Sequence, residues 1–252
     1  YKTLILSSFG SALEFFDFMI FALVAPIISR LFFPATMHPI WALINTYIIF
    51  AMGAFFRPFG GLFMAHLGDK YGRKLIFTWS LFLMAIPSLG IGLLPTYDTI
   101  GFFSPLLLLI FRMLQAVAMG SEVPAAWTFV AEHVPKERVG LANGILTCSM
   151  SLGILLASFF MTLLYLILPN KELYLWGWRL PFILGALLGI IAMIMRQQLK
   201  ESPIFIAIHK RRLLEQGIPL LEVWRHYKTL VLIGMGMNWF LVGMVGIVLL
   251  AI

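Results

Sequence analysis

Seven stretches of this chain are apolar over lengths that a soluble fold rarely needs: Thr3 to Phe33, Ile40 to Leu67, Leu75 to Leu94, Ile100 to Val130, Leu141 to Leu168, Gly177 to Met195 and Thr229 to Ile252. Each comes to roughly the 20 residues that a helix needs to cross hydrocarbon. In that solvent every backbone N–H and C=O must be bonded within the protein, which leaves helices or a closed barrel. A barrel needs alternating segments of about ten residues, and none is present. The expected class is therefore an all-α polytopic membrane protein. Composition agrees, with 61% apolar and 12% charged residues against about 25% charged in soluble domains.

The turn between the second and third stretches is short and densely charged. It reads Gly68, Asp69, Lys70, Tyr71, Gly72, Arg73, Lys74. Two glycines let the chain reverse within a few residues. Asp69 can accept bonds from the free amides of a helix start or from a guanidinium, and three cations gather on one side of the bilayer.

Placing that turn on the inner side puts Lys2, Lys70, Arg73, Lys74, Lys136, Arg138, Arg196, Lys200, Lys210, Arg211, Arg212, Arg225 and Lys228 on the same side, and leaves only Arg30, Lys171 and Arg179 opposite. This is the positive-inside pattern, so the inner side is expected to be cytoplasmic. The net charge of +7 is thereby explained by membrane topology, and no nucleic-acid partner is implied. Cys148 is the single cysteine, which rules out an internal disulfide. No HExxH or GxSxG occurs, and the histidines at 38, 66, 133, 209 and 226 are unclustered. No enzyme, metal site or cofactor is expected.

Ionisable residues inside the stretches carry the functional reading. Gly10, Glu14 and Asp17 share one face of the first helix, and that face cannot point at lipid. Burial disfavours the charged form of a carboxylate, which makes Asp17 or Glu14 a candidate proton carrier. The competing reading is a carboxylate bonded permanently to a neighbouring helix. The second stretch holds Arg57 beside Pro58, Gly60 and Gly61, a site for a bend and for close packing. The third has no ionisable residue and reads as scaffold. In the fourth, Arg112, Gln115, Met119 and Glu122 lie in one stripe. Arg112 needs a partner there, and Asp17 and Glu14 are the candidates. Glu132, on another face, is placed to bridge to Arg73 or Lys74. In the fifth, Gly144, Ser149, Ser151, Gly153 and Ala157 suit close packing. Trp176 to Phe182, WGWRLPF, suits the outer interface. Residues 196–217 are too polar to span and read as an amphipathic connector along the inner surface.

GxxxD[KR]xG[RK][RK] between the second and third spans resembles the signature loop of the major facilitator superfamily, with Ala65 where that signature begins with Gly. GSALEFFDF, RPFGG, HLGDKYGRK, RMLQAVAMGSE, TFVAEHVP, WGWRLPF and KESPIF occur in order at spacings similar to those of its metabolite:proton symporters. That branch includes carriers of proline and betaine, citrate, 2-oxoglutarate and shikimate. The resemblance implies the N-terminal six-helix half of a major facilitator fold, built as two inverted three-helix repeats, followed by the seventh helix. Residues 1–196 would form the bundle, 197–228 a cytoplasmic connector, and 229–252 the start of a second half.

The same resemblance implies symport of a small metabolite, zwitterionic or an organic acid, with the proton gradient as energy source. Asp17, Glu14 and Arg112 would couple the proton. Arg112, Gln115, Glu122 and Arg57 would line the substrate cavity. Gly68, Asp69, Gly72, Arg73, Lys74, Glu132 and Arg138 would form the cytoplasmic gate. The expected setting is the bacterial inner membrane, with the N-terminus and the connector cytoplasmic, a small solute, a proton and membrane lipid as partners, and a monomeric carrier once the second half is included. Two alternatives are a proton-driven exporter of the same superfamily and a transporter-like receptor without flux.

Overall fold

A computed structural model describes residues 2–199, 201, 206–207, 224, 226–234 and 236. The chain divides into two compact units, Tyr1–Arg211 and Arg212–Ile252. Most of the expected connector and seventh span lies outside the described residues. So do the side chains of Asp69 and Arg73.

The first unit is helical, with no strand among the described residues. Its helices are α1 (Lys2–Leu31), α2 (Pro39–Tyr71), α3 (Arg73–Leu93), α4 (Tyr97–Ile100), α5 (Phe103–His133), α6 (Val139–Ile167), α7 (Asn170–Leu175) and α8 (Leu180–Gln197). Among the described residues, six segments are long and apolar enough to cross a membrane: Thr3–Leu31, Pro39–Gly68, Lys74–Leu93, Phe103–His133, Lys136–Ile167 and Gly177–Gln197. They coincide with the first six apolar stretches. Prolines mark many of the ends. Pro39 opens α2, while Pro95 and Pro135 follow the extended residues Leu94 and Val134 that close α3 and α5, because a residue before proline is driven out of the helical region. Pro26, Pro58, Pro87 and Pro124 lie inside helices, where neighbouring helices compensate for the missing bonds.

Two apolar clusters occupy the ends of the bundle. One holds Phe32, Leu94, Leu108, Leu164, Leu173, Trp178 and Phe182. The other, at the Gly72 end, holds Leu6, Phe77, Phe129, Val130, Ala142, Leu146 and Leu199. Following the chain through them shows that α1 runs away from the Gly72 end and α5 runs towards it. Between the clusters lies a layer of buried polar side chains that includes Glu14, Asp17, Ser80, Ser88, Arg112, Gln115, Glu122 and Arg196.

The main helix pairings are α2 with α5, α1 with α6, α3 with α8, α3 with α5 and α1 with α8. Exchanging α1, α2 and α3 for α5, α6 and α8 maps this set onto itself. That is the signature of two three-helix repeats, and the opposite directions of α1 and α5 make them inverted. Glycine permits the closest approaches. A Cβ at Gly60 would overlap the Val117 backbone, one at Gly120 the Arg57 carbonyl, and one at Gly153 the Ala12 carbonyl. Such small-residue contacts pack helices where lipid supplies no hydrophobic drive.

Gly60→Val or Gly120→Val is expected to force α2 from α5 and lower stability by about 1–3 kcal/mol or more. Gly140→Ala has open space around it and is expected to leave thermal unfolding in detergent unchanged.

Candidate functional site

The polar layer contains two separate clusters. The first is centred on Asp17, which α1 carries into the bundle at 3% exposure. From α3, the Ser88 hydroxyl donates to Asp17 Oδ1 at 2.5 Å. From α5, Gln115 Nε2 donates to Asp17 Oδ2 at 2.7 Å and stands 2.7 Å from Ser88 Oγ. The amide oxygen of Gln115 in turn accepts from Arg112 Nη1 at 2.7 Å. The connection from Arg112 to Asp17 thus passes through Gln115. This differs from the direct guanidinium–carboxylate contact expected from the sequence, because Gln115, one turn along α5, fills the space between them with a group that both donates and accepts. Gly185 of α8 leaves room for the carboxylate, since a Cβ there would stand 2.8 Å from Oδ1.

Aromatic faces hold the cations. Arg112 lies over Phe21 at 4.1 Å and Phe50 at 5.2 Å, and Arg57 lies over Phe18 at 4.5 Å. Stacking of this kind favours a guanidinium that has left water. Among the described residues, Nε of both Arg57 and Arg112 lacks a hydrogen-bond partner. Asp17, Arg57, Arg112, Gln115, Phe18, Phe50 and Met119 line one narrow cavity. Two cations with bonding capacity to spare therefore face the same space as the Asp17 relay.

The second cluster lies nearer the Gly72 end. Glu122 pairs with Arg196 at 2.5 Å and accepts from the Ser80 hydroxyl. Arg196 also donates to the carbonyls of Phe77 at 2.9 Å and Ser7 at 3.4 Å, and its guanidinium lies 3.6 Å over the Phe77 ring. Expected as a cavity acid, Glu122 instead is locked into this cluster and does not line the narrow cavity. The charge asymmetry assigns Arg196 to the inner surface, yet it is fully buried. It stands at the end of an apolar span and the start of a polar run, so the sequence holds no sign of its inward turn. Glu14 is also fully buried, and neither of its carboxylate oxygens has a hydrogen-bond partner among the described residues.

At the Gly72 end of the bundle the turn is tighter than expected. Gly72 alone separates α2 from α3, with φ 113°, and its N–H donates to the Gly68 carbonyl at 3.0 Å. That backbone favours glycine. Lys74 N, in the first turn of α3, donates to both carboxylate oxygens of Glu201 at 3.1 and 3.2 Å. A carboxylate here satisfies helix-start amides and complements the dipole. Glu201 belongs to the KESPIF motif, and nothing local in that motif indicates the cap. Glu132 is half-buried near the end of α5, and Arg138 is exposed in the turn after it.

The family described as sugar (and other) transporter matches residues 3–219. The chain belongs to that transporter family. It is 40% identical over 205 residues to a putative proline/betaine transporter of Staphylococcus haemolyticus, a match covering 81% of this chain and 44% of the relative. It is 37% identical over 204 residues to the proline/betaine transporter of Escherichia coli K12, covering 81% of this chain and 41% of that protein. Its fold is similar to the major facilitator superfamily proton:xylose symporter XylE, with a TM-score of 0.76 at 16% identity, over 86% of this chain and 48% of XylE. The chain spans about half the length of the curated relatives it matches. The expected superfamily and fold, the N-terminal half of a major facilitator bundle, are thus found, and the family is one of transporters rather than enzymes.

Replacing Arg196 with Met is expected to cost about 3–5 kcal/mol, because it leaves the buried carboxylate of Glu122 unpaired. Gln115→Leu is expected to cost about 1.5–3 kcal/mol through the lost bonds to charged partners. The exposed Lys136→Met should unfold like the parent protein. Thermal unfolding of the reconstituted protein ranks the three, and equal effects of Arg196→Met and Lys136→Met would contradict the burial of Arg196.

Proposed function

We propose that this chain provides the proton-coupling half of an uptake carrier that brings in a small carboxylate-bearing solute together with a proton, by alternating access. The observation that supports this reading is the relay Asp17–Gln115–Arg112 beside a cavity that two guanidiniums border. Ionised Asp17 accepts bonds from Ser88 and from the Gln115 amide. Protonated Asp17 carries a donor where it had carried only acceptors, and a donor facing the Gln115 NH2 is mismatched. Turning the amide over repairs that contact. It also presents NH2 to Arg112, which then loses its acceptor. A proton on Asp17 thereby releases Arg112 to a solute carboxylate, and departure of the proton takes Arg112 back.

Arg57 and Arg112 suit an anionic or zwitterionic solute, in which a guanidinium meets a carboxylate as a charge-assisted pair. Zwitterions are the first to test, because relatives are named for proline and betaine. The inner side carries the Gly72 turn and most cations, so a bacterial plasma membrane with a cytoplasmic N-terminus fits the positive-inside rule. In this reading 1–196 is the transmembrane bundle, 197–228 a cytoplasmic connector and 229–252 the first helix of a second half, in a monomeric carrier. Gly68, Asp69, Gly72, Arg73, Lys74, Glu132 and Arg138 serve as the inner gate.

The full-length protein in proteoliposomes with an imposed inward proton gradient is expected to accumulate one of labelled betaine, proline, citrate, 2-oxoglutarate or shikimate. Asp17→Asn should abolish gradient-driven accumulation to the level of empty vesicles while solute exchange persists. Accumulation by Asp17→Asn equal to that of the parent protein would overturn the role of Asp17. Solute binding without flux would favour a receptor.

A further inference from the structure

Arg57 and Arg112 border the same narrow cavity, but they are held differently. Arg112 is buried, lies over Phe21 and donates to Gln115. Arg57, half-buried on α2, makes no hydrogen bond or ion pair among the described residues; its contact is the face of Phe18, 4.5 Å from the ring centre. Glu14 is a charged neighbour that attracts Arg57 without bonding to it. A guanidinium on a ring face keeps its N–H donors unused, so a carboxylate that reaches Arg57 replaces this contact with a charge-assisted pair.

The ring that Arg57 would leave is suited to another cation. Phe18 directly follows Asp17 on α1 and packs against Phe50 of α2, with ring centres 4.9 Å apart. The cavity beside it holds about 10 Å³, room for about one water, so a solute enters only as a side chain leaves. Around the ring the lining is apolar, with Phe50, Met84, Ala116 and Met119. Both oxygens of Asp17 and the amide oxygen of Gln115 are already bonded. An ammonium with N–H groups would bury donors without acceptors there, at a cost. A fully methylated ammonium has no donor to satisfy, presents apolar surface, and is attracted by the face of an aromatic ring.

We infer that the solute is a carboxylate bearing a fully methylated ammonium and that Phe18 selects it: the carboxylate draws Arg57 off the Phe18 ring, and the ammonium takes the face that Arg57 leaves. This rests on the proposed uptake of a carboxylate-bearing solute and deepens it. The carboxylate that Arg112 receives in that reading has lone pairs for both guanidiniums. In glycine betaine a single carbon separates carboxylate from nitrogen, so pairing with Arg57 keeps the ammonium within reach of the ring. Removing the ring also frees Arg57 in the empty protein, which helps any carboxylate to bind. The ratio of two solutes' affinities cancels that effect, because both bind the same empty protein.

The probes are glycine betaine and tert-butylacetate, which has the same shape with carbon in place of the charged nitrogen. Calorimetry on the purified full-length protein, without a gradient, reads both affinities. The ratio in favour of betaine is expected to fall about tenfold in Phe18→Leu and to keep its parent value in Phe18→Tyr, which retains the ring. Arg57→Gln should weaken both solutes, and unchanged affinities there would overturn the displacement. A ratio that Phe18→Leu leaves unchanged would overturn selection by the ring, and so would an equal loss of both solutes, the mark of a merely structural side chain. Binding of tert-butylacetate without binding of betaine by the parent protein would overturn the solute class and leave the carboxylate reading standing. Uptake of betaine that ignores the proton gradient would defeat the symport reading and leave the ratio as it is.

Discussion

A charge taken out of water into an apolar bundle has to be answered by another charge, by hydrogen bonds or by a proton. Glu14, Asp17, Arg112, Glu122 and Arg196 are all buried in one layer between two apolar clusters, and the arrangement of α1, α3, α5 and α8 follows from that requirement. Arg196 illustrates it. Its guanidinium reaches α5 through Glu122, α3 through the Phe77 carbonyl and α1 through the Ser7 carbonyl. One side chain at the end of α8 thus binds three other helices, and Gly10 is small because that guanidinium occupies the space beside it.

Two kinds of helix contact divide the work. Close backbone approach joins α2 to α5 and α1 to α6 through Gly60, Gly120 and Gly153, while the ionic contacts concentrate on α1, α3, α5 and α8. In the proposed cycle the Asp17 relay alters through a single amide rotation. The Gly72 turn joins α2 to α3, and Glu201 caps the start of α3.

Much of this was legible in the sequence. Apolar length located six spans to within a few residues, and the glycines and charges of residues 68–74 located the sharpest turn. The stripe of Arg112, Gln115, Met119 and Glu122 correctly put polar side chains towards the interior. Spacing along one helix does not, however, say which residue of a neighbouring helix lies opposite. Spacing alone therefore groups Glu122 with the cavity although a partner on α8 holds it elsewhere, and it does not reveal the bridge that Gln115 makes from Arg112 to Asp17. Arg196 was missed for a related reason. A cation at the end of an apolar span looks the same whether it meets headgroups or turns inward, and only the gap at Gly10, on a different helix, decides between them. The cap from Glu201 depends on a contact across 127 positions, which no local pattern reveals.

The central claim is that a proton on Asp17 and a solute beside Arg112 depend on each other. It is tested most directly by following the pH of a weakly buffered solution of the purified full-length protein as glycine betaine or proline is added, with binding measured in parallel by calorimetry. The account predicts that solute binding by the parent protein changes the number of bound protons, whereas Asp17→Asn binds the solute with no proton exchange. Equal proton exchange in both proteins, or solute binding by the parent with none, would contradict it.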